Sequence, residues 1–241
     1  MFQEFLEQYR EEITEGNPNN GICFDGVVNG EKYFAREKKL LFLLKETNGN
    51  KMNGEKNVVT EDWNYMEWVQ KQAIGKEPLY RSVFRNIAMW SKMFEDYMDG
   101  KETKVEKFIN DNGLIISEEL CKSLENIAIV NLKKSWGVEQ TEWNAMKTYL
   151  ENPVCREILA QQFNELTPSI VLCGGTFDFA HMIFGEGCCI QKKDSVDAKV
   201  VEFFKKDETI FVKCYHPSRP GWSRKDSFEY MNNILKVLSN V

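Results

Sequence analysis

The feature that most constrains the fold of this chain is a set of short apolar segments, each followed at once by polar or glycine-containing residues. They are LLFLL before KETNGN, IAIV before NLKKSWG, SIVLC before GGTFDF, and TIFVKCY before HPSRPGW. Apolar segments of this length, bounded by turn-forming residues, are typical of buried parallel strands. The stretches between most of them are long enough for crossover helices. We therefore expect an α/β fold with three layers, α/β/α, around a short and mostly parallel central sheet.

The intervening stretches carry helical patterns, and we expect helices over residues 2–15, 60–73 and 79–98. Ser117 and Pro153 mark two further helix starts, as an N-cap and as a first-turn proline. The stretch AKVVEFFKKDETIFVKCY predicts two strands joined by a turn at residues 206–208, and the chain closes on a helix. The sequence contains no repeat and no obvious linker. We expect residues 1–241 to form one domain, with the first helix packed on it.

The composition limits the classes of protein to consider. A hydrophobic content of 42% with 28% charged residues is typical of an ordinary soluble globular protein. No apolar stretch approaches the roughly 20 residues that cross a bilayer, and the acidic N-terminal segment is unlike a signal peptide. We therefore expect a cytoplasmic protein without a membrane partner. The net charge of −6 argues against broad, non-specific binding of nucleic acid, but it leaves room for a local basic patch.

The seven cysteines form an odd set without a CxxC pair. The adjacent Cys188 and Cys189 suit neither a zinc site nor an iron–sulfur cluster. Cys173 and Cys214 lie in apolar segments, where a reduced thiol behaves as a small hydrophobic group. We expect reduced structural thiols and no metal site.

The polar loops that follow the apolar segments are the expected site, because ligands of open α/β sheets bind outside the carboxyl ends of the strands. Local sequence leaves the role of each loop open. Gly174-Gly175 suits either a tight strand-to-helix turn or close approach to a phosphate, without the GxGxxG or P-loop pattern. Asn131 suits either a cap or recognition of a base edge.

The remaining polar residues of these loops are also ambiguous by themselves. Glu46 suits a general base that orients water, or a carboxylate that only caps a helix or faces solvent. His216 heads a loop stiffened by proline and glycine at the end of a strand. His181 lies in the apolar segment FDFAHMIFG, where a packed core histidine is the simpler interpretation.

The order of these four loops resembles the uracil-DNA glycosylase superfamily. The resemblance covers about residues 38–238. It consists of LLFLLKETNG as the first motif, IAIVNLKK as a strand that ends in asparagine, SIVLCGG as a strand that ends in a small-residue turn, and VKCYHPSRPGW as the His-Pro-Ser motif. It implies an α/β/α fold on a short parallel sheet and removal of a base that has been extruded from the DNA stack.

The resemblance also implies roles for individual residues. Asn131 would recognise the Watson–Crick edge of a flipped pyrimidine, with Asn48 and an aromatic ring such as Trp63 or Trp222 beside the base. His216 would donate a hydrogen bond to the base oxygen that gains negative charge as the glycosidic bond breaks. Glu46 and Thr47 would occupy the catalytic part of the first motif. Residues expected to contact DNA are Ser218, Arg219, Trp222, Arg224, Lys133, Gly174 and Gly175.

The first motif departs from the family pattern. Lys45 and Asn48 stand where the family has glycine and proline, and Thr47 stands where several members carry aspartate or asparagine, with Glu46 beside it. The cysteines that bind an iron–sulfur cluster in some families are absent from their expected places, so we expect no cofactor. We expect a monomer acting on damaged DNA, single- or double-stranded.

Two alternatives remain at this stage. One keeps the fold but drops the catalysis, leaving a nucleic-acid or nucleotide-binding module; the altered first motif and the negative charge favour it. The other is an unrelated α/β enzyme with a small phosphorylated substrate. In that case Gly174-Gly175 would bind the anion, and His216 would act as general acid or base.

Overall fold

A computed structural model of the chain describes residues 2–14, 21–46, 51–52, 55–56, 61–75, 79, 82–135, 143–194 and 200–239. The helices in these ranges are α1 (Phe2–Gln8), α2 (Arg10–Thr14), α3 (Gly30–Phe34), α4 (Tyr65–Ala73), α5 (Ser82–Met98), α6 (Glu118–Lys122), α7 (Trp143–Glu151), α8 (Pro153–Leu166), α9 (Phe177–Phe184) and α10 (Arg224–Leu238), with 3₁₀ turns at Val105–Lys107 and Ser123–Asn126. The strands are β1 (Cys23–Phe24), β2 (Gly26–Val27), β3 (Leu40–Leu44), β4 (Lys51–Met52), β5 (Glu55–Lys56), β6 (Trp63–Asn64), β7 (Ile109–Asn110), β8 (Gly113–Leu114), β9 (Ile127–Asn131), β10 (Ile170–Gly174), β11 (Gln191–Asp194), β12 (Val200–Lys206) and β13 (Thr209–Cys214).

A seven-stranded sheet forms the centre of the fold, with the spatial order β11-β12-β13-β10-β3-β9-β2. The four strands β13, β10, β3 and β9 run parallel, as the apolar segments predict. The outer strands β12, β11 and β2 pair antiparallel. The predicted two-strand unit around residues 206–208 is confirmed as the β12–β13 pair. The sheet is therefore parallel at its centre and antiparallel at both edges.

Sequence patterns missed β11 and β2 for two different reasons. β11 reads QKKD and is mostly exposed, so it lacks the apolar content that marks a strand; its pairing with β12 makes it one. β2 spans two residues, too few for any periodicity to show, and it is defined by its pairing with β9.

Two hydrophobic clusters cover opposite faces of the sheet. Alternation along β3 sends Phe42 and Leu44 to one cluster, with α4, α5, α6 and α10, and Leu41 and Leu43 to the other, with α7, α8 and α9. Burial of helices against both faces explains why every residue of β3, β9 and β10 is buried and why their side chains, apart from Asn131, are apolar. The mixed α/β, layered part of the fold prediction is therefore confirmed.

The predicted helix over residues 2–15 is two short helices, α1 and α2, with a break at Tyr9. Leu6 and Ile13 are buried and pack with Ile158 of α8 in a small separate cluster. Arg10, at the start of α2, pairs with Asp62 at 2.6 Å. Contacts with the rest of the fold therefore determine the path of this segment.

Among the described residues, none of the helices has both the length and the apolar content of a membrane span.

Candidate active site at the carboxyl ends of the parallel strands

The four parallel strands end level with one another, so their following loops meet along one edge of the sheet. In spatial order the last residues are Cys214, Gly174, Leu44 and Asn131. Three strand spacings of about 4.8 Å put the backbone of Cys214 roughly 14 Å from that of Asn131. The alternation of side chains assigns all four positions to the face that packs on α4, α5 and α10. We call the carboxyl ends of these four strands, on the face that packs on α4, α5 and α10, the cleft.

His216 is held in one tautomer by the residues that follow it. The backbone N–H of Ser218 donates to Nδ1 at 3.2 Å, so Nδ1 is an acceptor and the ring proton of the neutral form lies on Nε2. The Ser218 hydroxyl lies 2.8 Å from the same Nδ1, and with Nδ1 as the acceptor the hydroxyl is the donor. Burial and, to a smaller extent, the positive charge of Lys45 together lower the pKa of His216 to about 4. At neutral pH the ring is uncharged and carries a single donor, Nε2–H.

The loop that carries His216 is fixed to helix α5. Asn86 donates through Nδ2 to the Pro217 carbonyl, and its Oδ1 accepts from Arg224 Nη1 at 2.6 Å. Burial lowers the pKa of Arg224, with Arg85 adding to the effect. Arg224, expected to contact DNA, is thus engaged in holding this loop. Ser218 is likewise engaged with His216.

Gly174 and Gly175 serve the loop in different ways. A Cβ at Gly174 would lie 2.9 Å from Leu44 Cδ2 and 3.2 Å from Pro217 Cδ, so glycine lets the Pro217 ring approach the sheet. Gly175 has φ +72 and open space around it. Its left-handed backbone turns the chain into α9, which fits the tight-turn interpretation.

The residues on either side of His216 in the chain form an aromatic surface with a cation on it. The Arg219 guanidinium lies 3.6 Å from the centroid of the Tyr215 ring and 4.8 Å from that of Trp222. Tyr215 and Trp222 both pack on Tyr230, at centroid distances of 5.2 and 4.9 Å. Tyr215 is 48% exposed. Arg219 and Trp222, both predicted to contact DNA, therefore lie on one surface beside His216.

Asn131, at the other side of the cleft, is 1% exposed and is bound to a buried carboxylate. Asp25 Oδ2 accepts from the Asn131 backbone N–H at 2.6 Å and from its Nδ2 at 3.1 Å. Asp25 Oδ1 accepts from Lys134 Nζ at 2.7 Å and from Gln162 Nε2 at 2.9 Å. Burial lowers the pKa of the fully enclosed Lys134, and the nearby Asp25 opposes that shift.

Glu46 follows β3 and forms an ion pair with Lys133, which follows β9, with 3.3 Å between Oε2 and Nζ. The carboxylate is almost fully buried and the ammonium is mostly so. Two predicted site residues are therefore neighbours, joined across adjacent strands. Thr47 and Asn48, predicted as catalytic and base-binding, lie outside the described residues.

Trp63 lies on the same face of the sheet as Asn131, in an aromatic group. Its ring centroid is 5.0 Å from that of Tyr65 and 5.6 Å from that of Trp68, and the group packs on the core that contains Leu44. Trp63 also pairs with Cys23, two residues before Asp25.

Sequence reasoning missed Asp25, Asn86 and Tyr215. Asp25 and Asn86 act through contacts more than 100 residues away along the chain, which no local pattern reveals. Tyr215 could have been selected from the sequence, because it is an aromatic residue at the end of a strand and directly precedes His216.

A cavity of about 480 Å³ opens away from these loops, at the amino ends of β10 and β13, between Phe163, Phe184 and Phe211. None of the predicted site residues lines it. Among the described residues, no group of three or more His, Cys, Asp or Glu side chains is arranged to hold a metal ion.

No family model, curated protein or solved structure matches this chain. The chemistry of the cleft residues is therefore the basis for assigning a function.

Proposed function

We propose that this protein is a DNA glycosylase-like hydrolase that cleaves the N-glycosidic bond of uracil or another damaged base. One observation carries the proposal: a histidine held neutral, with its donor on Nε2, on the same sheet edge as an oriented asparagine. The four loops in the order of the uracil-DNA glycosylase superfamily, on an α/β/α core, support membership of that fold.

In the proposed reaction the target base leaves the DNA stack and enters the cleft, where Asn131 hydrogen-bonds to its Watson–Crick edge. The bond between C1′ and the base breaks, and its electron pair leaves with the base. His216 donates Nε2–H to the base oxygen on which negative charge gathers. A neutral donor fits this role because it stabilises the charge without first losing a proton of its own.

Water completes the reaction by adding its hydroxyl group to C1′, and its proton ends on the released base. Glu46 is the candidate group to orient that water, and Lys133 holds the Glu46 carboxylate in place at 3.3 Å. The exposed surface of Tyr215, Arg219 and Trp222 would contact the DNA strand beside the extruded base. Stacking of bases on such rings depends little on sequence.

The remaining parts of the proposal concern partners and location. We propose a monomer that binds damaged DNA and works in the cytoplasm without a cofactor. The net charge of −6 requires the DNA contact to be local, which fits a cation such as Arg219 set on aromatic rings.

The test is release of base from oligonucleotides containing uracil, hypoxanthine or xanthine, single- or double-stranded, scored as abasic sites. We expect release by the unmodified chain and a loss of about 10²- to 10³-fold in His216→Ala, as for removal of one donor to a developing anion. His181→Ala, in the only other histidine, is the matched control and should retain the rate. Absence of release from every strand would reject the proposal.

The ion pair of Glu46 with Lys133 favours one second candidate, a base-binding module of the same fold without hydrolysis, because the carboxylate already has a cationic partner. This candidate predicts binding of damaged DNA without abasic sites. Binding that is lost in Asn131→Ala while no base is released would support it.

A further inference from the structure

We propose that Asp25 is a positioning residue that fixes the amide of Asn131 and so makes the cleft select deaminated bases over their amino parents. This inference rests on the proposed function, because it assigns Asn131 the recognition of a base. Beyond that function, it names Asp25 as the residue that sets the orientation of the Asn131 amide, and it names the class of base that this orientation accepts.

The orientation of the Asn131 amide follows from the charge of its neighbour. An ionised carboxylate only accepts hydrogen bonds, so the amide atom 3.1 Å from Asp25 Oδ2 is the donor Nδ2. A flipped amide would put its carbonyl oxygen against the carboxylate and lose that bond. The same Asp25 oxygen accepts from the Asn131 backbone N–H at 2.6 Å, which holds the carboxylate beside the Asn131 side chain.

Asp25 is itself held by two donors on its other oxygen. Lys134 Nζ lies 2.7 Å and Gln162 Nε2 2.9 Å from Oδ1, and Lys134 also donates to Gln162 Oε1 at 2.6 Å. Four donors surround the Asp25 carboxylate, two on each oxygen, and together they fix its orientation. Because the whole group is buried, a rotation of Asp25 would leave polar atoms unpaired at considerable cost.

A fixed amide presents one acceptor and one donor in a fixed order. Uracil offers N3–H and O4, a donor beside an acceptor, whereas cytosine offers N3 and an amino group, the reverse order. Hypoxanthine and adenine differ in the same way at N1 and the 6-position. An amide free to flip would accept either member of each pair. The amide held by Asp25 fits only one order. We assign it the order of the deaminated bases, because the proposed function makes them the substrates.

Two double variants isolate the acceptor from the ion pair. Asp25→Ala with Lys134→Met removes both charges and the acceptor. Asp25→Asn with Lys134→Met removes the same charges but retains an oxygen that can accept from Asn131. Neither leaves a lone buried charge, which is the usual reason for such variants to unfold. Circular dichroism and the urea midpoint check that both fold.

The measurements are equilibrium binding of free uracil and free cytosine, and release of each base from matched oligonucleotides. We expect the preference for uracil to fall about tenfold in Asp25→Ala/Lys134→Met, the scale of one hydrogen bond. We expect Asp25→Asn/Lys134→Met to keep it. An equal preference in the two double variants would overturn the inference.

The two readouts separate this inference from the proposed function. If the unmodified chain binds uracil in preference to cytosine but releases neither, the hydrolase proposal fails and the positioning role is still decided by the two double variants. If the chain binds neither base, or both equally, the positioning role is rejected as well.

Discussion

The two sides of the cleft are fixed by opposite kinds of interaction. His216 is held by uncharged donors, the backbone and hydroxyl of Ser218, with Asn86 binding the Pro217 carbonyl behind it. Asn131 is held by a buried carboxylate that an ammonium neutralises. Buried surroundings disfavour protonation of His216, and so keep its ring neutral. A carboxylate beside Asn131 can only accept hydrogen bonds, and so keeps the amide from flipping.

The largest effect is expected on the Asn131 side, from the single substitution Asp25→Ala. It leaves the Lys134 ammonium buried without its carboxylate, which should lower the free energy of unfolding by about 3–5 kcal/mol. Urea denaturation measures the loss. The double variant Asp25→Ala/Lys134→Met should lose clearly less. Equal losses in the single and double variants would show that the Asp25–Lys134 ion pair does not stabilise the Asn131 side of the cleft.

On the His216 side, Asn86→Ala should cost about 1–3 kcal/mol, because the Pro217 carbonyl loses its donor and the Arg224 guanidinium loses an acceptor. Base release should fall at the same time, since the His216 loop is no longer fixed to α5. The control is Ser91→Ala on the same helix, whose hydroxyl donates within the helix, to the Ile87 carbonyl. Similar rates in the two variants would contradict the account of this loop.

The smallest effect concerns acid stability. The folded protein holds the pKa of His216 at about 4, below the ordinary 6.5, so the unfolded chain takes up a proton first as the pH falls. The contribution of His216 is therefore complete above pH 6.5 and is lost between pH 6.5 and 4. It amounts to about 1–2 kcal/mol after allowance for the partial exposure of the ring.

His216→Gln should remove this part of the pH dependence, and His181→Gln should leave it in place. Urea midpoints measured at pH 7, 5.5 and 4.5 give the comparison. Parallel curves for the unmodified chain and His216→Gln would show that the ring is not kept neutral by the fold.

The sequence predicts the sheet better than its edges. The strands β3 and β9 follow from their apolar segments, because a strand buried on both faces is marked by composition alone. The N-cap at Ser117 and the first-turn position of Pro153 are also confirmed, since the features that define a helix start are local. β11 escapes prediction because its four polar residues become a strand only through pairing with β12.

The residues of the site also fall into those that the sequence predicts and those that it does not. His216, Asn131 and Glu46 can be selected from the sequence because each follows a strand directly, and the ends of parallel strands meet. Asp25 and Asn86 cannot, because their partners Asn131 and Pro217 lie 106 and 131 residues away in the chain. The groups that carry chemistry are thus visible in local patterns, and the groups that orient them emerge only from packing.

The central claim is that His216 acts on the departing base as a neutral Nε2–H donor. The most direct measurement is the rate of uracil release from a single-stranded oligonucleotide as a function of pH, for the unmodified chain beside His216→Ala. Because the pKa of His216 is lowered to about 4, we predict no inflection near pH 6.5 and a rate far above that of His216→Ala throughout. Half-loss of the rate near pH 6.5, or no release at any pH, would contradict the claim.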